Sequence, residues 1–197
     1  MTVITRRAAA LAFALAATLC ALPSSAQDAP RVKFTTSAGD FVVEVYPDKA
    51  PRTVENFLQY VKDKHYDGTV FHRVIDNFMV QGGGFDANYA QKPTRPPVPH
   101  EGLEALAKGG PKNVVGTLAM ARTNDPNSAS AQFFINVKDN AFLDPTPQKP
   151  GYTVFGKVVS GMDVVNKIKA TPTGAAGPFP SDVPRTPIVV RSAEIVK

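Results

Sequence analysis

Short apolar runs, most of them bounded by glycine, proline or polar turn residues, recur from residue 31 to residue 196. With 18 prolines and 14 glycines in 197 residues, long helices and long strands are excluded over most of the chain. Many short strands joined by tight turns remain. Residues 31–46 read as a hairpin. Its turn signal is Ser37-Ala38-Gly39-Asp40, and Phe41, Val43 and Val45 alternate with Val42, Glu44 and Tyr46. Further strand-like runs cover 69–73, 78–81, 114–121, 132–137, 152–159 and 188–196. Two segments carry a helical period instead. Pro51 starts the first, with Val54, Phe57, Leu58 and Val61 on one face; 163–169 form the second, with Val164, Val165 and Ile168 inward. The fold class expected is mainly β, a closed or sandwiched antiparallel sheet with two α-helices. Residues 92–99 and 170–187 read as proline- and glycine-rich connections within one domain.

Residues 1–26 have the pattern of a cleavable signal peptide. Arg6 and Arg7 precede an apolar stretch at 8–22, and Ser24-Ser25-Ala26 offers small residues for cleavage, so the mature domain is expected to span 27–197. The apolar stretch is shorter than the roughly 20 residues a membrane span wants. The expected location is therefore the periplasm, with no membrane attachment after cleavage. The arginine pair admits a twin-arginine route, but little else of that motif is present, and general secretion is preferred. Cleavage removes the single cysteine, Cys20, so no disulfide is available to the mature chain. It also removes two arginines and no acids, taking the formal charge from +5 to +3. A weakly basic chain without a Lys/Arg stripe or recognition-helix pattern argues against nucleic acid as a partner.

Two stretches carry polar residues inside apolar runs. In FHRVIDNFMVQGGGF (71–85), Arg73 and Gln81 sit among Phe71, Phe78, Met79 and Val80. In GTLAMARTNDPNSASAQFFINV (116–137), Gln132 directly precedes Phe133 and Phe134. A polar group surrounded by apolar surface is unfavourable unless something satisfies it. A groove with an apolar pocket and a few aimed donors would explain both stretches. On pattern alone, Arg73 also reads as an ion-paired arginine, and Phe78, Met79, Phe134 and Leu143 as plain core. His65, His72 and His100 lack metal-ligand spacing, and His72 reads as a hydrogen-bonded core histidine. No GxSxG is present, and Gly82-Gly83-Gly84 lacks a following Lys-Ser/Thr, which removes a serine elbow and a phosphate loop. The triple glycine reads as a tight bend.

FHRVIDNFMVQGG, AMART with SAQFFI, NAFLD and VFGKVVSGMDVV follow one another in the order, and at about the spacing, of the cyclophilin-type peptidyl-prolyl cis-trans isomerases. The chain resembles that family over essentially all of 31–197, in its bacterial periplasmic form. The resemblance implies a closed eight-stranded antiparallel β-barrel capped by two helices. It implies catalysis of rotation about X-Pro bonds, assisting the folding of exported proteins, with no cofactor and no metal. Its substrates would be proline-containing unfolded or partly folded polypeptides, and the protein would be a monomer. By resemblance Arg73 is the catalytic cation, and Gln81 orients the substrate carbonyl or Arg73. Phe78, Met79, Phe134 and Leu143 form the proline pocket, with Phe142 at its rim. Gln132 contacts the peptide backbone, and Ala121 and Arg122 line the groove.

Several residues depart from the family pattern. Tyr152 stands where many members have a histidine, and Phe142 where many have a tryptophan that helps bind cyclosporin; weak cyclosporin binding is expected. Arg122 and Thr123 replace smaller residues. Arg122 would either favour acidic substrate neighbours or be solvated. Two other functions fit the residues without the resemblance: a proline-peptide-binding module with little turnover, and a purely structural β-barrel.

Overall fold

A computed structural model of the chain describes residues 29–197. The signal peptide, Cys20 and the cleavage site lie outside the described residues. Strands β1 (Arg31–Thr36) and β2 (Gly39–Val45) form the expected hairpin. Thr36 closes its turn: the Oγ1 donates to the Gly39 carbonyl and accepts from the Ala38 N–H. Helix α1 (Pro51–Lys62) follows, with proline in its first turn and Val54, Phe57 and Val61 buried as expected. No side chain at its N-cap residue, Ala50, satisfies the free backbone donors. Glu101 does so from a distant part of the chain, accepting from the N–H groups of Arg52 (3.2 Å) and Thr53 (2.7 Å) and from the Thr53 hydroxyl (2.7 Å).

The remaining elements are β3 (Arg73–Ile75), β4 (Met79–Gly82), α2 (Gly102–Ala107), β5 (Thr117–Met120), β6 (Phe133–Asn136), β7 (Val154–Ser160), α3 (Met162–Lys169), β8 (Thr173–Ala176), β9 (Phe179–Pro184) and β10 (Val190–Val196). Eight strands pair antiparallel in the order β10-β1-β2-β7-β5-β6-β4-β3. One face of this curved sheet holds a core rich in stacked and edge-on rings, including Phe34, Phe41, Phe57, Tyr66, Phe71, Phe133 and Phe155. Helices α1 and α3 bury their apolar faces in the same core.

Three expectations are corrected. The eight-stranded ladder is open, not closed. Thr69–Phe71 runs beside Ile188–Val190, but the contact is a single bridge, Val70 to Val189, with flanking bonds from Phe71 N–H to Ile188 O and Val190 N–H to Thr69 O. After Phe71 the chain leaves that partner, so β3 pairs only with β4 and the ladder ends at β3 and β10. Second, the run expected at 114–121 is a strand only from Thr117. Val114 and Val115 are exposed in a turn, where the Val115 N–H donates to the Asp139 side chain. Third, 170–187 is not merely a connection, because β8 and β9 form a separate two-stranded hairpin within it. Helix α2, a short third helix, was not anticipated.

Candidate active site

Side chains alternate between the two faces of a strand. The strands that feed Val74, Val80, Phe133, Ile135, Leu118 and Phe155 to the core therefore present other residues on the outer face. Register places Arg73 opposite Gln81, Gln81 opposite Phe134, Phe134 opposite Ala119, and Ala119 opposite Val154. These five residues make one transverse row on the outer face of β3, β4, β6, β5 and β7. Directly paired residues have Cβ atoms about 5 Å apart. A cation, an amide and an aromatic ring are thus held side by side by backbone pairing alone.

Around that row lies a second apolar cluster of Met79, Ala119, Phe134, Leu143 and Val154, with Ile75, Phe78, Ala121 and Tyr152 packed against it. The cluster floors a cavity of about 360 Å³. Of the residues singled out in the sequence, Arg73, Phe78, Met79, Gln81, Ala121, Arg122, Gln132, Phe134, Leu143 and Tyr152 line it. Phe142 does not. It is 60% exposed and stacks on Phe78 at 5.7 Å, just outside the lining.

Arg73 is exposed, and among the described residues no carboxylate lies within ion-pair distance of it. The ion-paired alternative is thereby removed. Gln81 does not hold Arg73; its Nε2 donates to Gln132 Oε1 at 3.0 Å. Gly84 makes room for that pair, since a Cβ there would stand 2.5 Å from the Gln132 Cγ. The glycine run therefore does more than bend the chain. Arg122 is half-buried and anchored to its own fold. Its Nε and Nη2 donate to the Gly151 carbonyl at 3.0 and 2.7 Å, and its guanidinium carbon lies 4.6 Å from the Tyr152 ring centre. Tyr152 in turn stands edge-on to Phe134 at 5.4 Å.

Sequence reasoning missed two sets of residues. Asn113, Asn136 and Asn140 are buried and bonded together beneath the pocket rim. Asn140 Nδ2 donates to the Phe78 carbonyl (2.9 Å) and to Asn136 Oδ1 (2.8 Å), while Asn136 Nδ2 donates to Thr117 Oγ1 (3.0 Å). The signal was present: Asn136 is a polar residue inside the apolar run FFINV. The second set is His72, Phe85 and Phe179, which also line the cavity. His72 is core, as expected; one ring nitrogen, its buried Nδ1, has no hydrogen-bond partner among the described residues. Burial, aided by the adjacent Arg73 charge, pushes its imidazole down to about 4.

The sequence model for cyclophilin type peptidyl-prolyl cis-trans isomerases matches residues 31–195. The chain belongs to this family, and its activity is peptidyl-prolyl cis-trans isomerisation. Among named relatives, a peptidyl-prolyl cis-trans isomerase of Streptomyces antibioticus is 54% identical over 168 residues, which cover 84% of this chain and 98% of that protein. Peptidyl-prolyl cis-trans isomerase B of Escherichia coli is 50% identical over 167 residues, covering 83% of this chain and 98% of that protein. Among solved structures, a cyclophilin from Hirschia baltica aligns with a TM-score of 0.67 at 27% identity, over 86% of this chain and 74% of that one.

Proposed function

We propose that this isomerase acts on X-Pro bonds of unfolded or partly folded exported polypeptides, and that Arg73 is its catalytic residue. The observation that carries the reading is a guanidinium, without an ion-pair partner among the described residues, lining an apolar, ring-sized pocket. X-Pro rotation faces a barrier of about 20 kcal/mol because the planar amide loses resonance as it turns. In the twisted state the nitrogen regains a lone pair and pyramidalises. A donor cation at that nitrogen stabilises the transition state more than either planar ground state. Met79, Phe134 and Leu143 would hold the proline ring while the preceding residue turns, and the apolar floor would strip water from the dipolar planar amide. Gln132, fixed by Gln81, would bond the peptide backbone. No bond is made or broken, so the step requires no nucleophile, metal or cofactor.

A charge-assisted hydrogen bond is worth about 1.5–3 kcal/mol, roughly a 10- to 150-fold change in rate. Exchange NMR on an Ala-Pro peptide should show that Arg73→Ala loses turnover by about that factor while peptide affinity persists. Affinity without turnover in the wild type would instead make the protein a binding module.

Export rests on the pattern of residues 1–26. Osmotic-shock fractionation should release a chain whose intact mass begins at Gln27. Retention of the full-length chain in the cytoplasm would reject it. We further propose a monomer with weak affinity for cyclosporin, because Phe142 supplies a smaller ring than tryptophan and no indole donor.

A further inference from the structure

The cavity, at about 360 Å³, is larger than one proline ring needs. His72, Phe85 and Phe179 also line it, and the X-Pro reading above gives none of them a role. Phe179 arrives there on the β8–β9 hairpin, which is not hydrogen-bonded into the eight-stranded sheet. The hairpin is nevertheless closely seated. Its turn residue Gly177 has φ +53°, and a Cβ there would lie 2.7 Å from the Tyr89 Cβ. Phe179 packs edge-on to Phe85 at 5.0 Å with an interplanar angle of 87°, and lies 5.3 Å from His72. His72 is itself 4.6 Å from Phe85. Three planar rings thus converge, and Phe85 and Phe179 are only partly covered. His72 adds a neutral ring at physiological pH, not a second cation beside Arg73.

We propose that His72, Phe85 and Phe179 form a subsite for an aromatic side chain flanking the substrate proline. The proposal rests on the X-Pro reading above, since the subsite is continuous with the proline groove. Rings that present both faces and edges recognise another ring by offset or edge-on contact, a preference beyond simple burial. Among the described residues no carboxylate lines the cavity, so a basic side chain finds no counter-charge there. The neighbouring guanidinium gives an aromatic occupant a second favourable contact.

The test compares kcat/KM, by exchange NMR, for proline peptides carrying Phe or Ala at each of two positions on either side of the proline. The wild type should favour Phe at one of these positions by about two- to tenfold. Phe179→Ala should bring that ratio close to one, while Phe179→Tyr should retain it. The ratio is internal to each protein, so partial misfolding cancels. A wild-type ratio near one at every position, or a preference untouched by Phe179→Ala, would overturn the subsite. If no peptide is turned over at all, the X-Pro reading fails and the subsite with it.

Discussion

Two arginines in the groove show how surroundings divide one residue type into two uses. Arg122 is held by the Gly151 carbonyl and the Tyr152 ring, so it shapes a wall. Among the described residues Arg73 has no such partner, which leaves its donors uncommitted. The site was legible in the sequence where polar residues interrupted apolar runs, because burying such groups needs a reason; Arg73, Gln81 and Gln132 were found that way. What Gln81 bonds to was not legible, since the choice between Arg73 and Gln132 depends on where Gly84 lets a side chain pass. Phe142 lies at the rim, as expected, but outside the lining. Replacing it tests the drug expectation directly. Phe142→Trp should tighten cyclosporin binding by about tenfold, as one added hydrogen bond and a larger ring would. Titration calorimetry would measure it, and unchanged affinity would mean that this position does not govern the drug.

At the scale of elements, periodicity found β1, β2, α1 and α3 because each buries one face and leaves the other wet. It failed for the β8–β9 hairpin, whose glycines and prolines read as a linker. Its strands form a separate pair, with β9 packed against β3 at the end of the eight-stranded ladder, instead of alternating over the core. The start of α1 was equally invisible: Glu101 is 49 and 48 residues from the two N–H groups it satisfies. Burial works to raise the Glu101 carboxyl, but the bonds from Thr53 and Arg52 prevail and hold it below the usual value. Glu101→Gln should destabilise the fold by about 2 kcal/mol, through weaker bonds to those donors. Urea unfolding of the variant checks this; a loss below a few tenths of a kcal/mol would show that water replaces the carboxylate without penalty.

For the whole molecule these buried titratable groups set the response to acid. His72 has its proton affinity depressed on folding, from 6.5 to about 4, and burial also lowers His65 and His100. The unfolded chain therefore binds more protons than the folded one between about pH 6.5 and pH 4, and stability falls as pH drops through that window. His72 alone accounts for about 3 kcal/mol of the loss. Glu101, shifted below its ordinary value, adds stability above its unfolded pKa that disappears at still lower pH. Urea unfolding at pH 7 and pH 4.5 should show the fall, and His72→Phe should remove a large part of it. The open ladder was beyond the sequence for a related reason. Closure depends on whether Thr69–Phe71 stays beside Ile188–Val190, a contact between segments more than a hundred residues apart. The rim ring on Phe78 has a practical sequel. The chain contains no tryptophan, so it is dark in the indole emission band. Phe142→Trp would install a lone fluorophore at the mouth of the groove, and its colour would report each arriving guest against a silent background.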